Sequence, residues 1–299
     1  MVRGEEVGAL AVEDAIRSIV GNVIFSDSLP NPFISSVERT GAAIFRRDLD
    51  FAARNSRSER MGRTVQGYPR YPLPVDTNVD FVRDLEYVAR KQSFIAKEYP
   101  EVLADFADII GGDYAITQDN LLYYTPKGTQ DKLTMVESSS AVRSLLNLGF
   151  YLRHAVQKGE LLMVDEPELS LHPANQRRIA RLFARLVNLG VKVFITTHSD
   201  YIVKELNTLI MLNHDKPHLK RIAKENGYRQ SELIRSDQVK VYMTQEALVP
   251  LEEGQRRRRR GLTLVEAEVD PALGIEAPSF DETIDEMNRI LEDIVWGAE

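Results

Sequence analysis

The segment GELLMVDEPELSLHP, residues 159–173, sets two carboxylates, Asp165 and Glu166, directly behind four apolar residues, Leu161, Leu162, Met163 and Val164. Such a run reads as a strand buried on both faces, the kind that builds parallel sheets. Open α/β sheets bind ligands beyond the carboxyl ends of their strands. Acids at that place are costly to bury unless they hold a cation or a proton in transit. A second apolar run, within VKVFITTHSD, leads into TTHSD, whose His198 lies 32 residues beyond Glu166. One strand–helix–strand crossover spans that distance and sets Glu166 and His198 at the same edge of neighbouring parallel strands.

The elements that must position these groups are read from apolar spacing. Residues 141–157 carry Val142, Leu145, Leu146, Gly149 and Leu152 as a helix packed on one side. A helix from Ala174 to Leu189 turns Ile179, Leu182, Phe183 and Leu186 inward, and Gly190 ends it. VKVFITTHSD reads as a second buried strand, after which Ser199 caps a helix with Ile202, Leu206 and Leu209 inward. Residues 137–210 are therefore expected to form a helix–strand–helix–strand–helix unit with parallel strands.

Upstream, residues 11–28 read as a helix and 31–41 as a short strand ending in Glu38-Arg39. Residues 46–75, rich in Arg, Ser, Gly and Pro, read as irregular. A long helix is expected from Asn78 to about Tyr99, then a second after Pro100 up to Gly111-Gly112. Short antiparallel strands follow, with turns at Asp119-Asn120 and Lys127-Gly128. Downstream, QVKVYMTQ and GLTLVEAEVD read as strands joined by a loop that carries Arg256, Arg257, Arg258, Arg259 and Arg260. A last helix has a capping box at Ser279 and Glu282 and a stripe of Ile284, Met287, Leu291 and Ile294. The expected fold class is α/β, a mainly parallel sheet with flanking helices and a helical insertion. The segments are 1–75 as an N-terminal part of core and insertion, 76–112 as the helical insertion, and 113–299 as the main core.

Asp165-Glu166 alone is a weak signal, but Pro167, Glu168, SLHP and the later TTHSD accompany it. Together they resemble the Walker B and switch-histidine region of ABC-type, P-loop-NTPase-like ATPases. More narrowly, they resemble the SMC-like and overcoming-lysogenization-defect group, closely over about 137–210 and loosely elsewhere. The resemblance implies an ATPase that uses ATP and Mg²⁺. Asp165 would hold Mg²⁺ through a water, Glu166 would orient and deprotonate the attacking water, and His198 would contact the γ-phosphate. Ser170, His172 and Pro173 would form a loop that meets a second subunit of a dimer. ESSSAVRS occupies the signature position, where Ser139 and Ser140 would bind the nucleotide of the opposite subunit, although Ala141 stands where many relatives have Gly. Family biology adds DNA repair or antiphage defence, often beside a nuclease partner; the sequence shows no nuclease site of its own. Each residue also has a plainer reading: Asp165 and Glu166 as loop caps, His198 as a satisfied polar group, ESSS as a helix N-cap, and Glu38-Arg39 as an ordinary salt bridge.

Composition sets bounds on function. A chain of 299 residues with 43% hydrophobic and 28% charged residues suits a globular protein with one large or two moderate domains. It has no cysteine, so disulfides and thiolate metal sites are excluded, and a cytoplasmic location is expected. No apolar run reaches about 18 residues, which argues against a membrane span, and the first residues lack a signal-peptide core. Net charge is −7, against wholesale coating by nucleic acid. The run Arg256–Arg260 can grip nucleic-acid phosphates or form a solvated loop balanced by Glu252 and Glu253.

A phosphate-cradling loop GxxxxGK[ST] is missing, since none of the 17 glycines is followed by lysine. Three expectations follow: a C-terminal portion of a longer ATPase, a site completed by a separate chain that supplies the loop, or a non-hydrolysing interaction or nucleic-acid-binding subunit on an ATPase scaffold.

Overall fold

A computed structural model of the chain describes residues 32–46, 71–117, 121–250, 258–276 and 278–296. The helix expected over 11–28, most of the 46–75 stretch, the Asp119-Asn120 turn, Arg256 and Arg257 lie outside those residues. Two compact units divide the chain, residues 1–171 with 189–197 and residues 172–188 with 198–299.

The first unit is built on a three-stranded parallel sheet. Its strands are β1 (Pro32–Ser35), β4 (Leu161–Asp165) and β5 (Lys192–Thr196), with β4 in the centre. Between β1 and β4 run α1 (Arg39–Ile44), α2 (Leu73–Arg83), α3 (Leu85–Val88), α4 (Phe94–Glu98) and α5 (Pro100–Ile110). The hairpin β2 (Gly112–Ile116) and β3 (Leu122–Pro126) follows, then α6 (Ser140–Ser144), α7 (Leu146–Phe150) and a π-helical turn at Tyr151–Ala155. Leu162 and Val164 of β4 are buried, as an apolar central strand requires. The second apolar run is not a buried strand. It forms the edge of the described sheet, and Phe194 is 51% exposed. Its alternation puts Val193 and Ile195 on one face and Lys192, Phe194 and Thr196 on the other, which is exposed.

Two helices expected to be continuous are broken, and two of the breaks meet. The stretch after Asn78 ends at Arg83, restarts briefly, and is capped anew by Ser93, whose hydroxyl accepts from the Ala96 amide at 3.0 Å. The stretch expected over 141–157 widens into the π-helical turn after Phe150. Widening frees carbonyls, and the start of α4 uses them: Ser93 donates its hydroxyl to Leu152 O at 2.6 Å and its amide to Arg153 O at 3.1 Å. Each irregularity thus satisfies the backbone groups of the other. Gly149 of α7 sits against Phe106 and Tyr114, where an added Cβ would stand 2.8 Å from each ring.

The second unit packs α8 (Pro173–Asn188) against α9 (Asp200–Met211), followed by α10 (Pro217–Glu225) and two short 3-10 turns. Leu209, Ile210, Leu212, Ala184, Ile234 and Ile275 form its core. Glu205 of α9 is buried and ion-paired with Arg177 and Arg181 of α8, and the Arg181 guanidinium lies 3.9 Å over the Tyr228 ring. Beyond it come a two-stranded antiparallel ribbon of β6 (Val241–Pro250) and β7 (Arg258–Ala267), the small pair β8 (Val269–Asp270) and β9 (Gly274–Ile275), and α11 (Pro278–Trp296).

Candidate functional site at the carboxyl end of the parallel sheet

β4 ends at Asp165, in register with Thr196 at the end of β5. The Thr196 hydroxyl donates to Asp165 Oδ1. The next residue, Glu166, has φ of 44°, a left-handed conformation that a non-glycine residue adopts at a cost of about 1–3 kcal/mol. Its amide is shared between Thr196 O at 3.1 Å and Thr196 Oγ1 at 3.2 Å. The chain is therefore turned sharply at the sheet edge, with both acid side chains half-buried there.

What holds the turn lies beneath it. Arg39, at the start of α1, is 1% exposed and donates to Asp165 O and Glu166 O, each at 2.6 Å. The same guanidinium donates to Ser36 O at 2.9 Å and to Ser144 O at 2.8 Å. Burial brings its pKa down to about 10, against the opposing pull of Asp165, Glu168, Glu166 and Glu38, so it stays cationic at neutral pH. One planar fork thus ties the end of β1, the helix that begins at Ser140, and the peptides on either side of Glu166. A second buried polar chain lies alongside: Asn147 donates to Asn78 Oδ1 at 2.7 Å, and Asn78 donates to Ser36 Oγ at 2.9 Å.

The rest of DEPELSLHP continues in tight turns. Leu169 N donates to Glu166 O at 3.1 Å and Leu171 N to Glu168 O at 2.9 Å, while Ser170 takes a second left-handed conformation with φ of 62°. Thr197 Oγ1 donates to Glu168 Oε2 at 2.9 Å. In the second unit His172 is exposed, its Nδ1 accepting from the Ala174 amide at 3.2 Å, and Pro173 opens α8. His198 is also exposed, immediately before Ser199, which caps α9 by accepting from the Ile202 amide at 3.3 Å.

Of the ESSS serines, Ser138 is buried and donates to Thr134 O at 2.8 Å. Ser139 is the N-cap of α6, accepting from the Val142 amide at 3.3 Å, and Ser140 is exposed as the first residue of α6. Arg258, Arg259 and Arg260 lie on β7 itself, not in a loop; Arg259 and Arg260 are exposed and pair in register with Val249 and Leu248. Ladder hydrogen bonding extends the ribbon past the glycine where the apolar alternation stops, and so carries the arginines into it.

The structure brings Asp165, Glu166 and Thr196 together, with Arg39 as their support. Thr196 was visible only as one of two threonines before His198, and Arg39 only as a neighbour of Glu38. The donor set at the strand ends is all oxygen, and among the described residues no group of three His, Cys, Asp or Glu forms a metal cluster. That chemistry fits Mg²⁺, which is held by one or two carboxylates together with water and substrate phosphates, and does not fit zinc. Among the described residues no helix is long and apolar enough to cross a membrane.

A parallel α/β sheet with paired acids at the carboxyl end of its central strand is an arrangement compatible with a nucleotide-binding ATPase module. Residues 21–204 match the family described as AAA domain, putative AbiEii toxin, Type IV TA system, and the chain belongs to that family. The match takes in Arg39, Ser139, Ser140, Asp165, Glu166, Thr196 and His198, and ends before the ribbon and α11. Comparison with curated proteins returned no match. Among solved structures, a chain from a study of ATP-driven dimerization and DNA-stimulated activation of SMC ATPases is similar at 15% identity. That likeness covers 72% of this chain and 95% of the other, with a TM-score of 0.33.

Proposed function

We propose that this chain is the Walker B half of an SMC-like ATPase that hydrolyses Mg²⁺-ATP once a phosphate-binding loop is supplied from outside these residues. The observation that supports it most is the strained Glu166 held by Arg39. A cost of about 1–3 kcal/mol is retained at one acid, on the ligand-binding edge of a parallel sheet. A loop cap needs no such conformation.

In this reading Asp165 and the Thr196 hydroxyl would hold Mg²⁺, whose chemistry there would be to neutralise charge on the transferring phosphates. Glu166 orients a water and takes its proton, with its backbone fixed by Arg39 so that the carboxylate is placed before substrate arrives. His198 contacts the γ-phosphate and registers its loss. Ser139, Ser140, Ser170, His172 and Pro173 meet a second subunit, so that hydrolysis is tied to nucleotide-dependent dimerisation. Ser139 already spends its hydroxyl on capping α6, which leaves Ser140 the better placed of the two for a phosphate. The Arg256–Arg260 run would add phosphate contacts to nucleic acid, in a DNA-repair or antiphage role with a cytoplasmic location.

The test is Mg²⁺-ATP turnover by the protein isolated with the polypeptides that accompany it. Glu166→Gln is expected to lower turnover by at least about 100-fold while ATP still binds. Unchanged turnover would remove Glu166 from the mechanism.

A further inference from the structure

A cleft in the second unit gathers cations that the site at the sheet edge does not use. It encloses about 580 Å³, and α10 contributes Lys220 and Lys224 to its lining, one helical turn apart and both exposed. Lys220 is ion-paired with Asp215 of the same lining at 2.5 Å, whereas Lys224 has no ion pair among the described residues. Tyr228 also lines the cleft. Its ring lies 3.9 Å beneath the Arg181 guanidinium, and its hydroxyl accepts from Arg177 at 3.1 Å. Those two arginines share one acid, the buried Glu205.

Past the cleft α10 keeps the same sign. Lys216, the N-cap, is exposed and has no ion pair among the described residues, and exposed Arg221 meets Glu225 only at 3.8 Å. Lys216, Lys220 and Lys224 follow one another at four-residue spacing, so they line one side of the helix over about 12 Å. Around the cleft and along α10, the six cations Arg177, Arg181, Lys216, Lys220, Arg221 and Lys224 stand against the three acids Glu205, Asp215 and Glu225, while Arg229 and Glu232 pair with each other. Three net positive charges therefore collect here, in a chain whose net charge is −7. A local excess of the opposite sign to the whole chain is the footprint of a polyanion.

We propose that this side of α10 and the cleft beside it hold the phosphodiester backbone of a nucleic-acid duplex without reading its sequence. The cations continue beyond the cleft, which suits a polymer rather than a single phosphate. Lysine ammoniums are point charges and lack the planar fork that reads a base edge. Tyr228 is half-buried with Arg181 over its ring, so it is no platform for stacking a base. What is left is contact with phosphates, which positions a duplex and weakens steeply with salt. α10 lies beyond residues 21–204, which match the ATPase family, and the contact needs no nucleotide. It is also distinct from the arginines of β7.

Fluorescence anisotropy of short labelled DNA duplexes, titrated with the full chain without ATP at several salt concentrations, tests the proposal. The variant is Lys216→Gln with Lys224→Gln, which removes two exposed cations and breaks no ion pair; Arg259→Gln with Arg260→Gln is the comparison on β7. Circular dichroism checks that both fold. The wild type is expected to bind duplexes of unrelated sequence alike. The lysine variant is expected to bind at least about tenfold more weakly at low salt, with a plot of log affinity against log salt shallower by about two. The β7 variant should keep most of the wild-type affinity. A lysine variant with wild-type affinity and slope overturns the proposal, as does a wild type that binds no duplex at low salt. Loss confined to the β7 variant would assign the binding to Arg259 and Arg260 and overturn it as well.

Discussion

At Glu166 the backbone and the side chain have opposed requirements. The left-handed φ of 44° favours glycine, whereas the proposed chemistry requires a carboxylate. Glu166→Gly is therefore expected to keep or raise stability, by up to about 1 kcal/mol, while abolishing turnover. Ser170→Gly, at φ of 62°, should share the gain in stability, read by urea unfolding of both variants beside the wild type. Equal destabilisation by both would show that the turns carry no strain. Arg39→Lys should cost about 2–4 kcal/mol, because one ammonium cannot serve four carbonyls spread over three segments. The positions of Asp165 and Glu166 at the end of β4, and of His198 shortly after β5, were legible in the sequence because each follows an apolar run. The support was not legible: Arg39 acts on carbonyls 126 and 127 residues away, and backbone acceptors leave no mark on residue type.

Helices were legible where one apolar face decides them. Residues 173–188 form α8 within a residue of the expected Ala174–Leu189 span, with Ile179, Leu182, Phe183 and Leu186 buried as their spacing requires. The breaks at Ser93 and after Phe150 escaped the pattern, since they arise from one helix end bonding to another. Gly149 marks a related contact. Gly149→Ala drives a methyl into Phe106 and Tyr114 and is expected to cost about 1–3 kcal/mol, measured by thermal unfolding. In the same region, burial lowers the pKa of His154 beneath its ordinary value near 6.5; the hydrogen bond to Lys91 O opposes the shift and Arg153 reinforces it. The unfolded chain then binds the proton more tightly than the folded one. Stability from this group is complete above pH 6.5 and is lost progressively as pH falls from there through the lower folded-state pKa. His154→Gln should accordingly flatten the decline of Tm below pH 6.5, and an unchanged decline would assign it to other groups.

For the whole molecule, the α/β class and the parallel pairing of β4 with β5 were readable from two apolar runs one crossover apart. The exposure of β5 was not, because an apolar run does not reveal how many neighbours its strand will have. Membership of the AAA-domain family agrees with the ATPase class read from Asp165-Glu166 and TTHSD, while the ribbon and α11 lie past the matched residues. The central claim is that the strand-end acids turn over ATP when a phosphate loop is provided. The most direct measurement is Mg²⁺-dependent phosphate release by the protein purified with its accompanying polypeptides, wild type against Glu166→Gln in identical preparations. Release by the wild type that falls at least about 100-fold in the variant, with ATP still retained, is the predicted result. Equal release from the two, or none from either, would contradict it.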